Sequence, residues 1–168
     1  PRQGQNAACV VVWGANPSAT GPHQDKHWLG GLPGKVVVID PIAHGTARAA
    51  DLHLQLRPGT DAALAFALMH VARREGLLDE KYIAEHTLGF DQIIPEIEKA
   101  TPEWAASVTG VSAEKIEEAG ALFGRGPSMM WLGQGLQRQT RGGNIFRAAL
   151  TLAAVTGNFG KPGAGIYY

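Results

Sequence analysis

Two short runs, "ACVVVW" at residues 8–13 and "KVVVI" at 35–39, are β-branched or otherwise apolar at every position except Lys35. A strand sends successive side chains to opposite faces, so an unbroken apolar run needs cover on both sides. Short runs of this kind read as strands of a parallel sheet packed between helices. Each ends in residues that cannot extend it: Gly14, Asn16 and Pro17 after the first, Asp40 and Pro41 after the second. The first bend, Gly-x-Asn-Pro, leaves backbone that a ligand can approach closely.

The remaining pattern completes an α/β plan. Residues 52–56, "LHLQL", alternate and suit a strand nearer an edge, and 128–132, "SMMWL", form a fourth strand. Met129 and Met130 within it read as core filling. Residues 44–50 make a short Ala-rich helix. Thr60 caps a buried helix reaching Glu75, and Asp79 starts another at "EKYIAEH". Pro102 follows a Thr101 cap, Ser112 caps a helix ended by Gly124, and a last helix covers about 143–156 before Gly157. The expected fold is a doubly wound, mainly parallel sheet of about four strands with helices on both faces and an α-helical excursion near 77–124. The 1–168 stretch reads as a single domain, and its terminal segments read as cut from a longer protein.

Composition removes several classes of partner. Lys plus Arg and Asp plus Glu number 15 each, so no net field draws the chain to nucleic acid or an acidic membrane. No apolar run approaches a bilayer span, which argues against direct membrane insertion. Cys9, the single cysteine, lies inside the first apolar run and reads as a small core residue.

Parallel α/β sheets bind ligands at the carboxyl ends of their strands, so four turns carry the functional question. In the first, Asn16 either offers its amide to a ligand or closes an Asx-turn on itself. In the second, Asp40 sits where dinucleotide-binding sheets place an acid for ribose hydroxyls, or else caps the next helix. His44 reaches a phosphate or packs at the surface. In the third, "RPGTDAAL", Gly59 and Thr60 stand at a helix N-terminus that attracts anions, but Asp61 would repel a phosphate there. A carboxylate suits the adjacent N–H donors on the edge of guanine, whereas adenine presents an acceptor at that place. Complementing the helix dipole is the other explanation of Asp61. In the fourth, "GQGLQRQTRGG", Gly133 and Gly135 begin a dinucleotide fingerprint that Arg138 breaks, while Arg138 and Arg141 suit phosphates. "HQDKH" sets His23 and His27 at metal-ligand spacing around Asp25, without a third ligand nearby, in a segment that reads as loop.

Taken in order, "WGANP", "IDPIAHGTARAADLHLQLRPGTDAAL", "GQGLQRQTRGG" and "LAAVTGNFGKPGAG" resemble the molybdopterin oxidoreductases of the dimethyl sulfoxide reductase and formate dehydrogenase superfamily. The likeness runs from about Ala7 to Gly165. It implies an α/β domain that holds one molybdopterin guanine dinucleotide of a bis-dinucleotide molybdenum or tungsten cofactor. By the resemblance, Trp13, Gly14, Asn16, Pro17 and Ser18 would wrap the phosphate and ribose side, and Asp40 and Pro41 would contact the ribose. Gly59, Thr60 and Asp61 would read the guanine, and Gln134 and Arg138 would approach the pterin or its pyrophosphate. Ile42 replaces an Arg common in the family, and Cys9 matches an ordinary strand position. The resemblance places the metal's protein ligand, and the cysteine cluster many members carry, upstream of Pro1.

The reading that follows is a cofactor-binding domain of a molybdenum or tungsten oxidoreductase, cytoplasmic or periplasmic, inactive alone. Its partners would be the remaining domains of the parent chain and electron-transfer subunits. Two rivals stay open: a nicotinamide-binding Rossmann-type domain, supported by Asp40 and opposed by Arg138, and a non-catalytic packing module.

Overall fold

The computed structural model describes residues 4–168, so the first three residues of the expected 1–168 domain lie outside it. Chain order is β1 (Cys9–Trp13), α1 (Pro17–Thr20), α2 (Pro22–His27), β2 (Lys35–Ile39), α3 (Gly45–Ala49), β3 (Leu52–Leu54) and α4 (Asp61–Arg74). There follow α5 (Glu80–His86), α6 (Phe90–Lys99), α7 (Pro102–Thr109), α8 (Ala113–Arg125), β4 (Ser128–Leu132), α9 (Gly142–Val155) and β5 (Gly165–Tyr167). The sheet order is β3-β2-β1-β4-β5 and every pairing is parallel. Strand order therefore reverses at β1, whose Trp13 sits level with Ile39 of β2 and Leu132 of β4. That reversal opens a crevice at the carboxyl ends of β1 and β4.

The unbroken apolar runs divide between two cores, as strand periodicity requires. Val11, Trp13, Val37, Ile39, Met130 and Leu132 face one side and pack with α4, α8 and α9. Val10, Val12, Val38 and Met129 face the other, under Ala47 of α3, Leu29 and Trp28. The first core is the larger, because the chain between β3 and β4 lays five helices on that face. Val71 of α4 and Gly120 of α8 mark how closely two of them approach: a Cβ on Gly120 would lie 2.7 Å from that of Val71. Cys9 is 1% exposed and burial pushes its thiol up to about 12, the state of an inert core residue.

The structure departs from the sequence expectations at several elements. The sheet has five strands, since 165–167 pairs with β4, and it is wholly parallel. The edge strand is Leu52–Leu54 rather than 52–56, although Leu56 remains buried. The "HQDKH" segment, expected as loop, belongs to the second of two short helices, Pro17–Thr20 and Pro22–His27, each begun by proline. An unexpected helix, α6, contains Pro95, whose missing N–H and ring weigh against an interior helical position. Thr60 does not cap α4 by its side chain; its Oγ1 donates to the Arg57 carbonyl 2.7 Å away. Ser112 likewise makes no capping bond, and α8 runs past Gly124 to Arg125. The Asp79 and Thr101 caps form as expected, accepting from the N–H groups of Tyr82 (2.9 Å) and Trp104 (3.2 Å). Among the described residues no helix is long and apolar enough to cross a membrane.

Asp51 sets the register of β2 against the turn before β3. Its carboxylate accepts from Lys35 Nζ at 2.7 Å and from the Val36 N–H at 2.8 Å. The Lys35 bond is the main reason its carboxyl is held below the ordinary 3.8, with the Val36 N–H next. A depressed folded value contributes stability above the unfolded value and loses it as pH falls. Asp51→Asn is therefore expected to lower the melting temperature slightly at neutral pH, since the pair is exposed and screened. The difference from wild type should shrink as pH falls below 3.8, as thermal melts across pH would show.

Candidate functional site

Trp13 ends β1 with its ring in the larger core, 1% exposed, and its indole N–H must find an acceptor there. It finds Asp61, the first residue of α4: Trp13 Nε1 donates to Asp61 Oδ1 at 2.9 Å. Asp61 is 5% exposed, and its other oxygen accepts from Gln139 Nε2 at 3.2 Å. Asp61 also stands in the first turn of α4, where the free N–H groups favour a negative charge. A carboxylate has roughly four lone-pair sites, so two remain for further donors.

Around this acid the strand ends form one cavity of about 270 Å³. Gly14 closes β1 at φ +63°, its N–H donating to the Ile39 carbonyl at 2.9 Å. Asp40, Pro41 and Ile42 enter from the end of β2, Leu56 and Pro58 from the bend before α4, and Gly135, Leu136 and Gln139 from the loop after β4. Gly133 lies directly below: a Cβ there would sit 1.9 Å from the Gly14 carbonyl oxygen. Three larger cavities elsewhere, of about 350, 370 and 420 Å³, are lined by no buried carboxylate.

Asp40 is 8% exposed and folds back on its own turn, Oδ1 accepting from the Ile42 N–H at 2.8 Å. His44 caps α3, its Nδ1 accepting from the Ala47 N–H at 3.3 Å. That bond assigns the ring proton to Nε2, which is buried without a hydrogen-bond partner and lies 3.6 Å from Asp40 Oδ2. His44 thus packs inside, beside the acid. Asn16, Pro17 and Ser18 lie apart from the cavity lining. Ser18 Oγ donates to Asn16 Oδ1 (2.6 Å), the Ser18 N–H to Thr46 Oγ1 (2.9 Å), and Thr46 Oγ1 to Asp25 (2.7 Å). These bonds lock the first turn onto α3.

Of the residues singled out in the sequence, Gly14, Asp40, Pro41 and Asp61 line the cavity together. Trp13 and Gly133 support it from beneath, and Gly59 and Thr60 form the bend leading to Asp61. Gln134 and Arg138 are exposed and held to each other, Arg138 Nη2 donating to Gln134 Oε1 at 2.9 Å. The sequence reading missed Leu56, Pro58, Leu136 and Gln139 as lining residues. Gln139 stands in the "GQGLQRQTRGG" loop, where an uncharged amide carries no local signal of a ligand beside the glycines and arginines. His23 and His27 are neighbours on α2, ring centroids 4.7 Å apart. Among the described residues no group of three or more His, Cys, Asp or Glu is placed to hold a metal.

A family model described as molybdopterin oxidoreductase matches residues 3–167, almost the whole chain. The chain belongs to that family. This molybdopterin oxidoreductase chain is 36% identical to the F420-dependent formate dehydrogenase 1 subunit alpha of Methanococcus maripaludis, over 96% of its length and 24% of that protein's. It is 36% identical to formate dehydrogenase H of Escherichia coli and 32% identical to a trimethylamine-N-oxide reductase of Vibrio parahaemolyticus, covering 23% of each. Acetylene hydratase from Pelobacter acetylenicus superposes with a TM-score of 0.81 at 26% identity, over 94% of this chain and 22% of that one. The molybdopterin oxidoreductase chain therefore spans about a quarter of the length of the relatives it matches.

The close approach of Gly133 to Gly14 makes a pair of substitutions informative. Gly133→Ala is expected to destabilise by roughly 1–3 kcal/mol, since overpacking forces the strand ends apart. Gly143→Ala, in α9 with nothing within 4 Å of its added Cβ, is expected to be neutral or to stabilise by up to about 1 kcal/mol. Urea denaturation of the two variants measures the contrast.

Proposed function

We propose that this domain holds the guanine end of one molybdopterin guanine dinucleotide of a bis-dinucleotide molybdenum or tungsten cofactor. The parent enzyme would carry out two-electron redox chemistry, by oxygen-atom transfer or formate oxidation. When bound, the group supplies the metal at which those electrons are exchanged. The observation that carries the reading is Asp61: a buried carboxylate, fixed through Oδ1 by Trp13, bordering a cavity at the point of strand reversal.

The residues present fit such a group. Guanine offers two neighbouring N–H donors, and Asp61 retains lone pairs to accept them. Gly14 and Gly135 bring backbone to the cavity wall beside Leu136, while Gly133 packs beneath against the Gly14 carbonyl. Whole small-molecule pockets measure about 300–1,000 Å³, so a cavity of about 270 Å³ suits a base with part of its ribose. Asp40 Oδ2 supplies an acceptor for a ribose hydroxyl at the same rim. The phosphates would meet the loop after β4, where Arg138 and Arg141 stand; no Lys or Arg lines the cavity itself. The pterin and metal would lie beyond the rim, against the remaining domains of the parent chain. Electron-transfer subunits would dock on those domains.

The nicotinamide alternative finds less support in the fold. Its fingerprint needs glycines running straight into a helix whose N-terminus takes the pyrophosphate. Here Gly133 leads into a single 3₁₀ turn, Gln134–Gln137, and α9 begins at Gly142.

Asp61→Asn tests the reading. In the cofactor-free full-length enzyme, calorimetry with guanosine diphosphate should show affinity reduced at least roughly tenfold, the size of a lost hydrogen bond to a charged group. Adenosine diphosphate binding should change little. Equal loss of both nucleotides, or unchanged guanosine diphosphate binding in a folded variant, would overturn it.

A further inference from the structure

We infer that Gln139 competes with the purine for Asp61 and so sets the affinity threshold of the base site. The inference rests on the guanine reading above. Asp61 already receives two donors of unequal character. The Trp13 bond is 2.9 Å long and joins two buried groups. The Gln139 bond is 3.2 Å, at the long end of the usual N–H···O range, and its Nε2 lies 3.4 Å from a second acceptor, the Leu136 carbonyl. One donor is built into the core. The other arrives from a half-buried residue on a loop.

The placement of Gln139 makes it an obstacle as well as a partner. It lines the cavity beside Gly135 and Leu136, and its side chain reaches across to the opposite wall. There its Oε1 lies 3.7 Å from where a Cβ on Gly59 would stand, so the amide spans from the loop after β4 to the bend before α4. A base that donates to Asp61 Oδ2 uses the acceptor, and much of the space, that Gln139 now uses. Binding must break the Gln139 bond. Guanine returns two N–H bonds to the carboxylate for the one displaced. A base with one donor beside an acceptor returns no net gain, because its acceptor faces a negative charge. Gln139 thus turns a weakly attractive acid into one that only a doubly donating edge engages with profit.

Two variants separate loss of the donor from loss of bulk. Gln139→Ala removes both; Gln139→Met keeps an unbranched side chain of similar reach without an N–H. Titrated calorimetrically with guanosine and adenosine diphosphate in the cofactor-free full-length enzyme, both variants should bind guanosine diphosphate roughly three- to tenfold more tightly than wild type, the scale of one modest hydrogen bond. The guanosine-to-adenosine preference should stay constant, because the displaced bond is common to both ligands. Unchanged or weaker guanosine diphosphate binding in both variants would overturn the competition while leaving the guanine reading intact. Tightening in the Ala variant alone would replace a competing donor with simple steric obstruction. If wild type and both variants fail to prefer guanosine over adenosine diphosphate, the guanine reading falls and the competition falls with it.

Discussion

A single hydrogen bond between a buried indole and a buried carboxylate couples the sheet of this domain to one of its two longest helices. Trp13 ends the central strand and Asp61 begins α4, and the indole N–H is sealed from water in the core. Burying an unpaired N–H or an unpaired carboxylate is costly, so each residue requires the other. The bond fixes where α4 starts relative to the end of β1, and the bend through Pro58, Gly59 and Thr60 must accommodate it. Asp61 thereby becomes both a structural partner and an oriented acceptor. A surface carboxylate could perform the second role only by giving up rotamer freedom on binding; this one has already given it up in folding.

Much of this was legible in the chain because burial on both faces leaves an unambiguous trace. Val10 to Val12 and Val36 to Val38 could only belong to covered strands, and their divided packing shows why. Asp40, Gly14 and Asp61 were chosen because they follow strand ends, and the structure gathers those three around one cavity. Elements with weaker physical signatures escaped. β5 is three residues long and half-buried, too short for periodicity to register. Pro95 hid α6, although that helix buries Ile97 and lends its carbonyl to His70 at 3.0 Å. Pairings across the sequence were beyond reach altogether. The resemblance put Trp13 along the phosphate and ribose side, but nothing local announces that an indole and an acid 48 positions apart will bond.

Relatives of this chain include formate dehydrogenases and a trimethylamine-N-oxide reductase, and its architecture recurs in an acetylene hydratase. Their names describe different reactions, yet a stretch of about a quarter of each resembles this domain. Such sharing fits a division of labour in which a scaffold positions and a cofactor reacts. Within this chain the same division is visible on a smaller scale. The sheet and α4 are held by core packing, whereas the arms that reach the cavity from the β4 side belong to a loop tied down by 3₁₀ and turn bonds.

The contact of Gly133 with the Gly14 carbonyl has an evolutionary corollary. At the seam between the two central strands there is no room for even a methyl group, so sequence drift cannot reshape that part of the crevice. Whatever diversity in ligand fit a fold of this kind needs must be written into the flanking arms, such as the turn through Pro41 and Ile42. The seam is a fixed floor, and adaptation is confined to the walls.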